Sequence, residues 1–416
     1  MRVLKYLVLL LLPVLCWIAF VGFGAANGFL LKPITSENTP EAFVAVAQQE
    51  IDKTFVGNFA MAIIEDGQVE QNHFYSIDDP IDENSVFQVA SVSKWVTAWG
   101  VMALVEQGQL DIDKPVDDYL TRWHLPPSEY DNRQVTVRRL LSHSAGLVDD
   151  LGYDGFLPGT PVQTLEASLT KAADASYAEG VARVGIEPGT QYMYSGASYT
   201  LLQLLIEEIS GQSFQDYMTK TIFEPLGMTN STFILAEKPN LPLAQRYNAD
   251  GSISLPNNFT ALAAASLFTS TADLSKFVIA NISPNPVLSA KTIQQMSHAE
   301  AFIGVIGVYG TGPHLYSQND PNSNIIGHDG SSGRPTINTA ARVDLLSKSG
   351  IIILEMGSHD IASNLADEWL HWKADIADRV VIQRNASYLL TWLISGLLVI
   401  IALFIRYLLR QRKQSK

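Results

Sequence analysis

Cysteine is almost missing from this 416-residue chain: there is one, Cys16. It lies inside an apolar stretch, so an internal disulfide, a cysteine metal cluster and a thiol nucleophile in the hydrophilic part are all excluded. The eight histidines form no His-Glu-x-x-His and no close pair, which leaves no zinc pattern and no call for a metal or other cofactor. There is no Gly-x-Ser-x-Gly elbow and no phosphate-binding glycine loop, so the α/β-hydrolase and nucleotide-binding readings fall away. Basic charge is scarce as well, with 28 Lys and Arg against 42 Asp and Glu and a net charge of -14. Arg2 and Lys5 precede any acid, while Arg406, Arg410, Arg412, Lys413 and Lys416 follow the last one; removing these seven from -14 leaves -21 for the rest. A body that acidic repels phosphate backbones and carries no basic stripe, so nucleic acid is not an expected partner. No internal repeat or low-complexity segment is present.

Apolar residues are abundant, at 47%, enough for a large core. Two uncharged runs stand out. Residues 7 to 23 (LVLLLLPVLCWIAFVGF) follow Arg2 and Lys5 and have about the length of a bilayer core. Residues 1–26 therefore read as a transmembrane anchor or a signal peptide, with Gly24 and Ala26 small enough for cleavage. Residues 388 to 405 (YLLTWLISGLLVIIALFI) carry Tyr388 and Trp392 at one end and RYLLRQRKQSK at the other. This pattern predicts a membrane helix over 386–409 and a basic cytoplasmic tail over 410–416. Basic residues at both termini keep both ends inside, so the region between them is expected on the exported, periplasmic or extracellular, side of the cell membrane.

Between the two runs, TPEAFVAVAQQEIDKTF has helical periodicity with Thr39 as a cap and Pro40 in the first turn. NFAMAIIEDGQVEQNHFYS reads as two strands joined by Asp66-Gly67, a dipeptide suited to a tight hairpin. From about residue 93 to 297 the pattern is helices and loops, and strand-like runs return in AFIGVIGVYG, SNIIGHDG, TINTAARVD and GIIILEMG. That order predicts an α/β (α+β) domain over 38–375, with an antiparallel sheet built from both ends, flanking helices and an inserted helical lobe.

Three short motifs could carry chemistry. Ser91-Val92-Ser93-Lys94 starts a long apolar helix; Ser91 and Lys94, three apart, share one face, and a helix N-terminus favours developing negative charge. A serine hydroxyl needs a base to become a nucleophile, and an amine of lowered pKa can serve directly or through a second group. The segment after Lys94, WVTAWGVMAL, has no water-facing side for a solvated lysine. Tyr194-Ser195-Gly196 follows Glu187-Pro188-Gly189-Thr190 and precedes a helix. His328-Asp329-Gly330-Ser331 ends a strand-like run. Taken singly, each fits an ordinary cap, packing residue or structural histidine.

Together and in this order they resemble the serine β-lactamase and penicillin-binding-protein family, in its branch of class C β-lactamases, DD-peptidases and esterases. LLSHSAGL (140 to 147) and EPGTQYMYSGASYTLLQLLIEEISGQSFQDYMTKTIFEPLGMTNSTF (187 to 233) look like that family almost throughout, and the similarity runs over roughly residues 40 to 358. The resemblance implies Ser91 as acylated nucleophile, Lys94 as its partner, and Tyr194 as general base with a phenol pKa lowered by the ammonium. It also implies an oxyanion hole from the backbone N–H groups of Ser91 and Ser331, and a supporting or proton-relaying role for His328. His143 is implied to pack or cap, and Asp111 and Asp113 read as loop residues.

The chain departs from that pattern in the substrate site, expected to include Gly196, Asp329, Gly330 and Arg334. Gly196 stands where lactamases of the branch have an amide side chain that holds the substrate amide. His328 replaces a lysine, and Asp329 stands where a hydroxyl commonly meets a substrate carboxylate, which an acid repels; Arg334 could offset it by pairing. The expectation is a membrane-anchored serine hydrolase acting on a small-molecule or peptide substrate, an esterase or D-stereospecific peptidase ahead of a β-lactamase. Alternatives are acyl transfer through the same intermediate and an idle module that binds cell-wall peptide or a partner protein. Nothing in the sequence bears on oligomeric state.

Overall fold

A computed structural model describes residues 2–149, 153–175, 179–317, 322–333 and 335–414. Arg334 lies outside the described residues. The chain divides into two compact units, Ala47–Ala366 and a second made of Met1–Val46 with Asp367–Lys416.

The larger unit is organised around an eight-stranded sheet, entirely antiparallel in its pairings, in the order β2-β1-β10-β9-β8-β7-β6-β5. β1 (Asn58–Glu65) and β2 (Gln68–Ser76) come from the start of the unit; β5 (Ala301–Ile303), β6 (Ile306–Tyr309), β7 (His314–Leu315), β8 (Ile325–Gly333), β9 (Thr336–Asp344) and β10 (Ser349–Met356) come from its end. Both ends of the segment thus contribute to one sheet, as the strand-like runs predict. The β1–β2 turn places Asp66 at φ +49° and Gly67 at φ +75°, a left-handed pair that matches the twist of a two-residue hairpin. β9 and β10 are buried along their whole length, which explains the unbroken apolar run Ile351–Leu354.

The inserted segment contains the helices Val92–Glu106, Gly196–Ser210 and Thr271–Ala280, the last packed on β1 and β10. It also holds a two-stranded ladder of β3 (Val86–Gln88) and β4 (Phe268–Ser270), which a helix-and-loop reading misses because three residues per strand carry no periodicity. The Val92–Glu106 helix is buried on every side through Leu104, as an all-apolar helix must be. Trp95 and Trp99 both meet Phe277 at 5.0 Å between ring centroids. This places the N-terminus of the helix, and Ser91 before it, between the sheet and the helical lobe.

In the smaller unit, helices Arg2–Ala26 and Ala386–Gln414 pack on each other, with Trp17 against Trp392 at 6.1 Å and the Trp17 indole donating to Leu393 O at 3.2 Å. Gly396 leaves room for that indole, since a Cβ there would lie 2.0 Å from it. Both helices are long and apolar enough to cross a membrane and show little burial within the protein.

Candidate active site

The turn before Ser91 is built to aim its hydroxyl. Val89 N donates to Leu267 O at 2.9 Å, which ends the β3 ladder. Ala90 then adopts φ +44°, a left-handed conformation that costs a residue with a Cβ about 1–2 kcal/mol. Two bonds hold the turn: Ser93 Oγ donates to Ala90 O at 2.5 Å and accepts from Leu267 N at 2.9 Å. Ser91 sits at the N-cap of the helix with its side chain free of any capping bond.

Lys94, one turn on, is fully buried. Its ammonium nitrogen donates to Ala264 O at 2.8 Å and lies 3.1 Å from Ser91 Oγ. Burial pushes its pKa down from 10.5 to about 7, against an upward pull from the Asp149 carboxylate. Little solvation is left to the charged form, so the neutral amine is well populated near neutrality.

Tyr194 comes from the other side of the lobe. The flanking backbone fixes it: Met193 N donates to His143 O at 2.8 Å and Ser195 N to His143 Nδ1 at 3.0 Å. Asp149 completes the mount, bonding Ser195 Oγ and accepting from Ala197 N at 2.6 Å. The phenol lines the same cavity as Ser91, and Lys94 Nζ lies 4.8 Å from the ring centroid. The His143 ring lies 4.2 Å from the tyrosine ring, tilted by 36°. Hydroxyl, amine and phenol are therefore in one place, although more than 100 residues separate Ser91 from Tyr194 in the chain. The phenol differs from expectation: burial pushes its pKa well above 10, outweighing the downward pull of the neighbouring Ser91 hydroxyl. The group tuned to neutral pH is Lys94.

β8 supplies the third wall. Among the described residues it pairs beyond Gly327 with β9 alone, so its other edge is open toward Ser91. Gly330 allows the approach, because a Cβ there would lie 2.2 Å from Val89 O and 3.0 Å from Ser91 N. Thr339 Oγ1 also donates to Val89 O at 3.0 Å. Ser331 follows, lining with Ser91 and Tyr194 a cavity of about 450 Å³ whose other walls include Gln88, Tyr153, Asp154 and Phe259. Gly196 does not line it; it opens the helix that Ser195 caps.

His328 is buried with both ring nitrogens engaged. Nδ1 donates to Asp329 O at 2.6 Å, which leaves Nε2 to accept from the Tyr309 hydroxyl at 2.9 Å. Burial holds its pKa well below 6.5, so it stays neutral. Its ring centroid is 6.2 Å from that of Tyr194 and 4.6 Å from that of His314, a place suited to packing behind the tyrosine. Asp329 does not present a bare charge: Oδ2 accepts from Arg342 Nη2 at 3.0 Å and Oδ1 from the Tyr316 hydroxyl at 3.4 Å. The repulsion expected from an isolated acid is thus offset, by Arg342 on β9.

Arg342, Asp149, Tyr309 and Gln88 were not singled out by sequence. Arg342 meets Asp329 only through the β8–β9 register, which places it opposite Gly327. Gln88 did carry a signal, as a polar residue between Phe87 and Val89 three positions before the serine. Among the described residues no group of His, Cys, Asp and Glu is placed to hold a metal.

A family model described as Beta-lactamase matches residues 44–376. Penicillin-binding protein 4* of Bacillus subtilis is 33% identical over 179 residues, 42% of this chain and 37% of that protein. Protein flp of Staphylococcus aureus is 24% identical over 263 residues, 61% of this chain and 50% of that protein. The chain thus spans half or less of the length of these curated relatives. Among solved structures, the octameric penicillin-binding protein homologue from Pyrococcus abyssi superposes with a TM-score of 0.67 at 26% identity, over 83% of this chain and 80% of that one.

Proposed function

The chain belongs to the Beta-lactamase family, whose model spans most of its length, and from that premise we propose that it is a serine hydrolase working through an acyl-enzyme on Ser91. The observation that carries this is the Ser91 hydroxyl 3.1 Å from a buried Lys94 amine whose pKa is about 7. The neutral amine takes the Ser91 proton as Oγ attacks the substrate carbonyl. The backbone N–H groups of Ser91 and Ser331 hold the oxyanion. As the tetrahedral adduct collapses, the Tyr194 phenol gives its proton to the leaving alcohol or amine and regains one from the Lys94 ammonium. Water then attacks the ester and gives up its proton along the same path, releasing the acid and restoring Ser91. His328, with both nitrogens engaged, holds Tyr194 from behind.

Substrates are esters or amides, with an esterase or D-stereospecific peptidase favoured over a β-lactamase. Gly196 offers no amide side chain, and Asp329, engaged by Arg342 and Tyr316, has no hydrogen to donate to a substrate carboxylate. The basic residues at the chain-terminal ends of the two apolar helices, Arg2 and Lys5 in one and Arg406, Arg410, Arg412 and Lys413 in the other, support anchoring with the catalytic unit on the exported face.

Intact-mass analysis after exposure to a fluorophosphonate, a penicillin and p-nitrophenyl esters tests the proposal. The wild type should gain the mass of a probe or turn over at least one of them, and Ser91→Ala should do neither. A protein inert to all three, or labelled equally in the alanine variant, refutes it.

A further inference from the structure

The proposed reaction does not use Gln88. This residue ends β3, three positions before Ser91, and pairs through its backbone with Phe268. It is only 2% exposed, lines the same cavity as Ser91, Tyr194 and Ser331, and its Oε1 is buried without a hydrogen-bond partner among the described residues. A buried carbonyl oxygen left unpaired loses its hydration with nothing in return. Folded proteins seldom tolerate such a group unless water or a ligand answers it. Among the described residues none donates to it: the Tyr153 hydroxyl on the same cavity wall is paired with Thr200 Oγ1 at 3.1 Å, and Lys94 Nζ donates to Ser91 Oγ and Ala264 O.

Resting on the hydrolase reading above, we propose that Gln88 is a specificity-determining residue whose carboxamide oxygen accepts a hydrogen bond from an N–H on the acyl side of the substrate. The favoured substrate class is therefore an ester or amide of an amino acid, with nitrogen on the carbon next to the scissile carbonyl, in preference to a plain carboxylic ester. The position fits this role. Gln88 shares the cavity with the nucleophile and stands on the strand that leads into it, so its amide is fixed relative to Ser91. It also supplies an amide function to a cavity that Gly196 does not line. The Asp154 carboxylate on the same cavity wall is a second acceptor for such a nitrogen when it is an ammonium.

Two p-nitrophenyl esters of equal size decide the matter: the N-acetylglycyl ester and the 4-oxopentanoyl ester, in which CH2 replaces N–H. A glycyl ester separates a free ammonium from an acylated N–H. Wild-type kcat/KM should favour N-acetylglycyl over 4-oxopentanoyl by about 3- to 10-fold, the effect of one neutral hydrogen bond. Gln88→Met, of similar volume without hydrogen-bonding groups, should bring that ratio to about one. Gln88→Glu keeps the acceptor and should keep the ratio, while raising turnover of the glycyl ester relative to both others. Fluorophosphonate labelling at Ser91 reports whether each variant is intact; if Gln88→Met is not labelled, Gln88→Glu decides, and loss of the ratio there overturns the proposal. A ratio unchanged in Gln88→Met, or a wild type without preference between the two esters, overturns it while leaving the acyl-enzyme standing. A wild type that hydrolyses none of the esters and is not labelled removes both.

Discussion

Lys94 offers the most direct test of how this site works, because burial and chemistry make opposite demands on it. An amine at its ordinary value of 10.5 is neutral in only ~0.03% of molecules at pH 7, whereas one near 7 is neutral in about half, a gain of ~10³ in available base. The rate of Ser91 acylation by a fluorophosphonate, followed by intact mass from about pH 5 to about pH 9, should climb close to tenfold per pH unit and level off above about 7. Lys94→Arg places a cation there that does not deprotonate. It should lose about 10²–10⁴ in acylation rate across that range, with no recovery in alkali. The same burial penalises the fold. Between pH 7 and 10.5 the folded protein binds fewer protons than the unfolded chain, so stability rises with pH over that window, and the burial cost is fully present below 7. The drop from 10.5 to about 7 corresponds to ~5 kcal/mol. Lys94→Met removes it but strands the Ala264 carbonyl, at about 1–3 kcal/mol. The inactive Met variant should therefore unfold at higher denaturant than the wild type at pH 7. A flat rate profile below pH 7, a midpoint near 10 as for an ordinary tyrosine, or an Arg variant within about tenfold of wild type would refute the reasoning.

The Asp329–Arg342 pair is open to a double-mutant cycle. Arg342→Met should destabilise by about 1–3 kcal/mol, because Asp329 loses its cation, and adding Asp329→Thr should recover most of it in urea unfolding; a coupling under about 0.5 kcal/mol would mean the pair is incidental. Glu355 on β10 is fully buried, and burial raises its pKa from 4.5 to about 7. The folded state thus binds more protons than the unfolded chain between these values, and stability falls as pH rises through them. Glu355→Gln should therefore be more stable than wild type by ~3 kcal/mol at pH 8 and nearly equal to it at pH 4.5, read as a shift of the urea midpoint at the higher pH alone.

What could be read from the sequence divides along a physical line. Ser91 and Lys94 are a local pair, fixed by helical spacing, and the burial of Lys94 followed from the absence of a polar face on its helix. The sheet was legible from alternation and the Asp66-Gly67 turn. Tyr194, His328 and Ser331 could be joined to that pair only through resemblance to a family, since no local rule brings together residues so distant in the chain. Arg342 was invisible because its meeting with Asp329 depends on strand register, and Asp149 because it anchors another motif's backbone. The tyrosine pKa was misjudged for a related reason: the ammonium could be foreseen from sequence, but how deeply the phenol is buried could not.

The poise of Lys94 is a balance between two terms from different parts of the fold. Desolvation by the surrounding lobe lowers its pKa and the Asp149 carboxylate raises it, with desolvation the larger. Asp149 is not free to move toward the amine or away from it, because Ser195 Oγ and Ala197 N hold its two oxygens. Those bonds cap the helix that begins at Gly196 and, through Ser195, fix the tyrosine beside it. One buried carboxylate therefore both orients the phenol and tunes the amine. An isosteric Asp149→Asn change separates the two jobs in part, since the amide can still accept from Ala197 N while the charge is gone. With the upward pull removed, the rising limb of the acylation profile should move to lower pH, and a limb that stays where it was would show that desolvation alone sets the base.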